Sequence, residues 1–307
     1  MVFMILQTGR VLNHRYQVSR YLGEGATSNV YLVRDKKEQG SVWALKQLNH
    51  FSNDQEREAL KKEAEMLSSL RHDNLIKMVD CFSEEGYDYL VMERVIGPTL
   101  QEIIENLEEP IPEKDFVDYG VQIVQVLTYL HSQDPPVIYR DLKPGNIMIT
   151  VQGQVKLIDL GIARHFNPMK PKDTTPIGTS GYCPPEQYGA GQTTIRSDIY
   201  SFGAVAYHTL TGKDPAEFKF DFPPPSQYNP ILTDKMEEII MKCLQIDPDN
   251  RYHHSSQLYD HIIEHHVKLK KEYNNAGFKL KSSMNKYRRV LAGLWNSFIK
   301  LPEIKTK

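Results

Sequence analysis

The sequence predicts an α+β protein of two lobes, a β-rich N-terminal lobe with one main helix and a mainly α-helical C-terminal lobe. Its 307 residues leave room for two packed lobes. Strand-like alternation of apolar and polar residues is typical of the first 95 residues, and apolar residues at helical spacing are typical of the part that follows. We therefore assign residues 10–95 to an N-lobe, 96–267 to a C-lobe and 268–307 to a basic tail.

The predicted N-lobe is a sheet with one helix. Residues Arg15–Arg34 alternate in the manner of two strands around a turn, and Val42–Lys46 is predicted to be a third strand. Two further strands are predicted at Ile76–Phe82 and Tyr87–Met92. The segment Asp54–Leu70 carries a helical stripe of apolar residues with charges on its other faces, which predicts the helix.

The predicted C-lobe contains four helices. Asp115–Gln133 has a helical apolar stripe, Asp198–Leu210 is apolar almost all round and should be buried, and Thr233–Leu244 and Ser255–Val267 complete the set. Four histidines near the last helix lack the carboxylate or cysteine pattern of a metal site, so we expect them at surface helix ends: His253, His254, His265 and His266.

The composition is that of an ordinary globular protein, with 40% hydrophobic and 25% charged residues. Three scattered cysteines suggest neither a disulfide framework nor a metal site, which fits a reducing compartment. No signal peptide and no run of 18 apolar residues is present. These features predict a cytoplasmic protein, which would be peripheral at a membrane if its tail binds lipid.

The run Val137–Ile149, VIYRDLKPGNIMI, places an acid, a base and an amide in one short loop. Asp141 can accept a proton from a hydroxyl, Lys143 can stabilise a phosphoryl group, and the Asn146 carbonyl can ligate a hard cation. A second strand-like run ends in Asp159, another oxygen ligand. Phosphoryl transfer requires this combination of a nucleophile-orienting residue, oxygen ligands for Mg²⁺ and fixed positive charge.

This stretch resembles the catalytic loop and DFG segment of the eukaryotic-type (Hanks-type) protein kinases, with Tyr139 where His is usual and Leu160 where Phe is usual. Further motifs, including the closing run Pro184–Tyr188, look most like bacterial serine/threonine kinases. The resemblance covers residues of about 10 to 267. It implies transfer of the γ-phosphoryl group of ATP to protein Ser/Thr hydroxyls with Mg²⁺, or alternatively Mn²⁺, held by Asn146 and Asp159.

The resemblance also implies a nucleotide site. Residues 22–30 match the Gly-rich loop with Ser28 in place of its third glycine, and Lys46 matches the lysine that holds the α/β-phosphates. Its helix partner would be Glu63, although Glu65 competes. Backbone groups at Glu93 and Val95, in the segment that matches the hinge between the lobes, would bond the adenine. The residues expected at the nucleotide are Leu22, Gly23, Glu24, Gly25, Ala26, Thr27, Ser28, Val30, Ala44, Lys46, Met92, Glu93, Val95 and Met148.

Residues 159–186 are rich in Pro, Thr and Gly, as expected of a long activation loop. By resemblance, Thr179 is the P+1 threonine that bonds the catalytic Asp and Lys. Thr174 and Thr175 are candidate phosphorylation sites, or else merely solvated loop residues. The same resemblance implies that Asp198 braces the catalytic-loop backbone and that Glu186 forms a buried ion pair with Arg251.

The tail, residues 268–307, lies outside the resemblance. It holds eleven Lys/Arg and two Glu, a net charge of +9 in a chain of net charge −2. One helical face is apolar, with Trp295 beside it. The segment 279–301 is therefore predicted to dock on the acidic kinase body, to lie on an anionic membrane, or to bind a partner. Nucleic acid binding is not expected. The apolar face consists of Tyr287, Val290, Leu291, Leu294, Phe298 and Leu301.

Two other functions remain open from the sequence. A pseudokinase scaffold would bind nucleotide or a partner without turnover, and its signature would be loss of Lys46, Asp141, Asn146 or Asp159, none of which is lost. A small-molecule phosphotransferase would share the Asp and Asn pattern but would need no P+1 loop. We therefore expect a protein kinase.

Overall fold

The computed structural model describes residues 5–25, 28–38, 40–48, 64, 68–159, 164–165, 179–188, 192–275 and 287–295. The chain forms two compact units, residues 1–95 and 96–307. In these described ranges, no helix is both long and apolar enough to cross a lipid bilayer.

The first unit is built on a six-stranded antiparallel sheet of order β1-β2-β3-β4-β6-β5. Its core side chains, among them Tyr16, Tyr31, Leu45 and Tyr89, are fully buried. Of the predicted helix Asp54–Leu70 the structure describes residue 64 and residues 68–70, and it is helical at 64 and at 68–69 but not at Leu70. Ala64 is buried. The strands are β1 Val11–Leu12, β2 Tyr16–Gly25, β3 Ser28–Asp35, β4 Val42–Leu48, β5 Met78–Glu84 and β6 Tyr87–Glu93.

The second unit is mainly helical and carries short strand pairs. Strand β7 pairs with β10, and β8 pairs with β9 as a hairpin. The elements are α1 Leu100–Glu105, α2 Glu113–His131, β7 Val137–Ile138, β8 Ile147–Ile149, β9 Val155–Leu157, β10 Arg164–His165, α3 Ile195–Thr211, α4 Asp234–Cys243 and α5 Ser255–Asn275. Residues 287–295 form a further helix, called here the C-terminal helix.

Helix α3 lies at the centre of this unit, and every residue from Ser197 to Thr211 is buried, as the sequence predicted. It begins at Ile195 because Thr194 caps it. The Thr194 hydroxyl accepts from Arg196 N at 3.2 Å, and the Ser197 hydroxyl accepts from Thr194 N at 3.1 Å. This reciprocal capping box starts the helix three residues earlier than its apolar pattern predicted.

A buried ion pair links Glu186, at the end of the predicted activation loop, to the helical part of the second unit. Arg251 is 2% exposed and donates to both oxygens of Glu186, at 2.7 and 3.0 Å. The predicted pair is therefore confirmed. Its two parallel N–H···O bonds are the arrangement in which a buried guanidinium and carboxylate compensate each other's lost hydration.

The expectation that the four histidines lie at surface helix ends is wrong for His266, which lies within α5 because this helix continues to Asn275 and does not end at Val267. It is also wrong for His265, which is not at the surface. Its side chain is 3% exposed on α5, and Nε2 lies 2.6 Å from Glu113 Oε1 at the start of α2. The same carboxylate accepts from Thr233 N at 2.9 Å. The periodicity of α5 shows a histidine on the buried face but not its partner, because Glu113 is more than 150 residues away in the chain.

The C-terminal helix contacts the rest of the second unit through its apolar face. Tyr287 and Leu291 are each 3% exposed, and the Tyr287 hydroxyl lies 2.8 Å from the Tyr119 hydroxyl of α2. Burial raises the pKa of Tyr119 to about 12 and raises the pKa of Tyr287 as well, so both phenols remain neutral at physiological pH. At the other end, the Trp295 indole N–H donates to Ile149 O at 3.3 Å.

Candidate active site

The backbone of the loop after β7 is held by one carboxylate. Asp198 of α3 is fully buried, and its two oxygens accept from Tyr139 N and Arg140 N, each at 2.8 Å. His131 Nε2 lies 2.8 Å from the same carboxylate. Arg140 takes a left-handed backbone conformation with φ +73°. Because a non-glycine residue occupies that region at a cost, the Asp198 bonds are what keep this turn in place.

The side chains after that turn form a compact hydrogen-bonded set around Asp141. Asn146 Nδ2 donates to Asp141 Oδ2 at 2.8 Å, and Lys143 Nζ lies 2.9 Å from the same oxygen. The Thr179 hydroxyl donates to Asp141 Oδ1 at 3.1 Å and accepts from Lys143 Nζ at 2.7 Å. The carboxylate is thereby oriented by three partners, and its side chain remains 13% exposed, so it is still accessible to solvent.

The hairpin β8–β9 leads to Asp159, the second residue that the sequence predicts as an oxygen ligand. Ile158 N donates to Asn146 O at 2.9 Å, and the buried Tyr139 hydroxyl donates to Ile158 O. Asp159 follows directly in a left-handed conformation, φ +62°, which turns the chain at that residue. Burial raises the pKa of the Tyr139 phenol well above its ordinary value, so Tyr139 acts here as a neutral donor.

The oxygen atoms of Asn146 and Asp159 are the hard ligands that Mg²⁺ prefers. Among the described residues no group of three or more His, Cys, Asp or Glu side chains could hold a metal ion. A cation at this loop would therefore complete its shell with waters and with oxygens of a bound phosphate, which is how Mg²⁺ is usually held at nucleotide sites. The residues present fit such an ion.

The segment after Thr179 is anchored to α3 and to the loop. The Tyr182 hydroxyl lies 2.6 Å from Nδ1 of the buried His208, and Gln187 Nε2 donates to Arg140 O at 3.2 Å. Burial raises the pKa of the Cys183 thiol to about 12, which removes it as a nucleophile. The segment after Thr179 is therefore held in place beside Asp141 by hydrogen bonds and supplies no reactive thiol.

Four of the expected nucleotide residues share one face of the first unit's sheet. Lys46 is directly opposite Val30 across the β3–β4 pair, and Ala44 is opposite Met92 across the β4–β6 pair. Ala44 and Lys46 are two residues apart on β4 and so point to the same side. The register thus brings together residues that lie 62 positions apart in the sequence.

The remaining expected residues of the first unit are placed as follows. Leu22, Gly23 and Glu24 lie near the end of β2, with a bulge between Tyr21 and Gly23, and Ser28 is buried at the start of β3. In the segment that matches the hinge, Glu93 lies two residues before Val95, and its N–H donates to Lys77 O at 2.8 Å. For Gly25 only the backbone is described.

Several residues named from the sequence, in both units, lie outside the described residues: Ala26, Thr27, Glu63, Glu65, Leu160, Thr174, Thr175, Phe298 and Leu301.

Sequence reasoning missed His131 and Gln187. His131 bonds Asp198 and also lies 3.0 Å from the Ser255 hydroxyl, which links three helices behind the loop. His131 belongs to no local pattern, and Gln187 lies in the closing run Pro184–Tyr188 without a role being assigned to it there, because each acts on a partner distant in the chain. Their position beside the loop is visible only in three dimensions.

A scan against protein-family models matches residues 16–266 to the protein kinase domain. The chain belongs to the protein kinase family. Among curated proteins, serine/threonine-protein kinase PrkC of Bacillus subtilis is 33% identical over 258 residues, covering 80% of this chain and 39% of that protein. Serine/threonine-protein kinase PknB of Mycobacterium leprae is 32% identical over 279 residues, covering 83% and 43%.

The solved structures agree. The crystal structure of a single-residue mutant of the Mycobacterium tuberculosis PknI kinase domain superposes with a TM-score of 0.69 at 25% identity, covering 85% of this chain and 99% of that one. The predicted two-lobed α+β kinase fold, and the resemblance to bacterial serine/threonine kinases, are confirmed. The chain spans about two fifths of the length of the curated relatives that it matches.

Proposed function

We propose that this chain is a serine/threonine protein kinase that transfers the γ-phosphoryl group of ATP with Mg²⁺. The observation that carries the proposal is the set of hydrogen bonds around Asp141. Three partners, Lys143, Asn146 and Thr179, orient one partly exposed carboxylate, and Thr179 belongs to the segment that resembles a P+1 loop. The relatives PrkC and PknB are named serine/threonine-protein kinases, which supports the same class.

In the proposed reaction the oxygen of a Ser or Thr hydroxyl attacks the γ-phosphorus, and the bond to the β–γ bridging oxygen breaks to release ADP. Asp141 orients the hydroxyl and accepts its proton. Lys143, whose ammonium is 2.9 Å from that carboxylate, neutralises charge on the moving phosphoryl group. Asn146 and Asp159 would hold Mg²⁺, which supplies charge neutralisation at the phosphates.

The nucleotide contacts are part of the proposal. Lys46 would bind the α/β-phosphates with Glu63 as its partner, and backbone groups at Glu93 and Val95 would bind the adenine. The common face of Val30, Ala44, Lys46 and Met92 supports these assignments. By the same family resemblance, Met148 on β8 is assigned to the adenine.

Two finer functions follow. We infer that Thr174 or Thr175 is autophosphorylated. Arg140 and Arg164 are the candidates to bind the phosphate group once it is attached to the threonine. We also infer that the tail docks on the rest of the second unit, which the burial of Tyr287 and Leu291 supports. Membrane binding would need the same apolar face, so the two states would compete.

The test of the main proposal is phosphate transfer from labelled ATP with Mg²⁺, to the protein itself and to a generic basic protein. Mass spectrometry of the product would show whether Thr174 or Thr175 is modified. Protein that is folded and binds ATP but transfers nothing would support a scaffold instead. Cosedimentation with anionic liposomes, with and without residues 279–307, tests the tail, and equal pelleting of both forms would exclude membrane binding through it.

A further inference from the structure

The C-terminal helix reaches the hairpin that carries two of the proposed active-site residues. Tyr287 and Leu291, four residues apart on one helical face, are buried, and Tyr287 bonds Tyr119 of α2. One turn further along, Trp295 is half-buried and donates to the carbonyl of Ile149. The helix therefore spans from α2 to the end of β8.

The Ile149 carbonyl is turned away from its own hairpin. Ile149 is opposite Val155, and on the next residue Thr150 N donates to Gln154 O at 2.9 Å. Because hydrogen-bonded and non-hydrogen-bonded pairs alternate in an antiparallel ladder, the Ile149 N–H and C=O point outward. The N–H donates to Pro98 O at 2.9 Å, and the C=O accepts from Trp295.

The same carbonyl is packed against the first residues of the second unit. A Cβ added to Gly97 would lie 2.1 Å from Ile149 O, so only glycine fits this contact. Residues 97 and 98 thus contact Ile149 directly, and Thr99 forms an isolated antiparallel β-bridge with Met148. Ile149 O is therefore the point where the segment 97–99, strand β8 and the C-terminal helix meet.

The opposite side of the hairpin is tied to the helix that receives Tyr287. Gln122 lies three residues after Tyr119 on α2, accepts from Val155 N at 2.9 Å and donates to Gly153 O at 3.1 Å. Asp115, one turn before Tyr119, carries a carboxyl whose pKa burial raises and the nearby Arg288 charge lowers. One face of α2 thus contacts both the hairpin and the C-terminal helix.

We propose that Trp295 is a positioning residue for nucleotide binding. Docking of the C-terminal helix fixes strand β8, with Met148, and the segment 97–99, which follows Val95 in the chain. Docking and nucleotide binding then favour each other. This inference rests on the proposed function, because Met148 and Val95 are assigned there to the adenine.

Docking has to be a distinct state for this coupling to operate. Most of the stability of an amphipathic helix comes from the packing of its apolar face and not from helix propensity alone. The structure of the C-terminal helix therefore depends on the buried contacts of Tyr287, Leu291 and Trp295. A change that removes the apolar contact should release the whole helix, including its bond to Ile149.

The chain provides its own probe, since Trp43 and Trp295 are its two tryptophans. In a Trp43→Phe background, acrylamide quenching of the single indole reports whether the helix is docked. Leu291→Asp places a charge on the buried face. Ala292→Asp introduces the same residue and the same charge one position along, on the exposed face, and is the matched control.

We expect Leu291→Asp to increase quenching of Trp295 and to weaken the binding of Mg-ATP, measured at equilibrium without turnover, about fivefold. KM for ATP should rise by a similar factor, whereas the rate at saturating ATP stays that of the control. Because coupling is reciprocal, saturating Mg-ATP should reduce quenching in the parent and in Ala292→Asp.

Equal quenching in both variants would show that the helix is not docked, and increased quenching with unchanged ATP affinity would show docking without positioning. Either result overturns the proposal. Protein that binds ATP but transfers no phosphate contradicts the proposed kinase activity alone, since quenching and affinity are measured without catalysis. Absence of ATP binding in the parent contradicts both.

Discussion

The catalytic loop and the C-terminal helix are both packed against other parts of the second unit, but through different kinds of contact. In the loop, the buried Asp198 carboxylate binds two backbone N–H groups, and the carboxylate of Asp141 has three polar partners. On the C-terminal helix, the buried surface is mainly that of Tyr287 and Leu291, with one phenol–phenol bond and one indole bond of 3.3 Å.

The two kinds of contact suit two different tasks. Hydrogen bonds to charged groups are directional and fix atoms at defined distances, which an attacking hydroxyl requires. Apolar burial is non-directional, so it can hold a helix in place and still permit release. The contacts of the loop therefore fix its geometry, whereas those of the helix are compatible with the docking equilibrium proposed above.

The strongest predicted change is in the loop. Asp141→Asn removes the proton acceptor while leaving a side chain of the same shape, so phosphate transfer should fall by about 10³-fold. Asp260→Asn, the same change at an exposed position of α5, should leave the rate unchanged. Steady-state transfer from labelled ATP measures both. Retention of most activity in Asp141→Asn would contradict the assignment.

The next prediction concerns the anchor of the loop. Asp198→Asn leaves the loop amides and His131 with a neutral partner, so the free energy of unfolding should fall by about 3 kcal/mol. Transfer should fall too, because the turn at Arg140 loses its support. Chemical denaturation against Asp260→Asn measures the first. Unchanged stability would mean that the loop does not depend on this charge.

A weaker change is predicted for the link between the loop and the P+1 segment. Thr179→Val keeps the shape but loses the bonds to Asp141 and Lys143, and transfer should fall about tenfold, which corresponds to about 1.4 kcal/mol. Thr179→Ser retains the hydroxyl and should keep most of the rate. If valine and serine behave alike, the hydroxyl has no part in orienting Asp141.

The weakest predicted change is in the C-terminal helix. Tyr287→Phe leaves the buried Tyr119 hydroxyl without its partner and should shift the docking equilibrium by about 1 kcal/mol. Combining it with Tyr119→Phe removes both hydroxyls and should restore much of the loss. Quenching of Trp295 in the Trp43→Phe background measures each shift. Additive effects in the double variant would show that the two hydroxyls are not coupled.

Much of the site could be predicted because its residues are close in the chain. Asp141, Lys143 and Asn146 lie within six positions, and the chemistry of their side chains limits what such a loop can do. Secondary structure was predicted well where periodicity was strong, as in α3. Its start was missed because the capping box of Thr194 and Ser197, and not apolar spacing, sets that end.

Partners that lie far apart in the chain could not be predicted. His265 was placed at the surface, yet Glu113 makes its burial favourable, and His131 became part of the loop's support only through Asp198. A single side chain gives no sign of a partner that the fold brings to it from another helix.

The kinase fold, the composition of the catalytic loop and the apolar face of the tail could all be predicted from the amino acids alone, because they depend on local order and periodicity. The place where that face lies could be found only in three dimensions. An amphipathic helix specifies that its apolar side must be covered but not by what, since apolar burial carries little directional information. Tyr119 and the Ile149 carbonyl supply the answer, and they are brought to the helix by the packing of α2 and the β8–β9 hairpin.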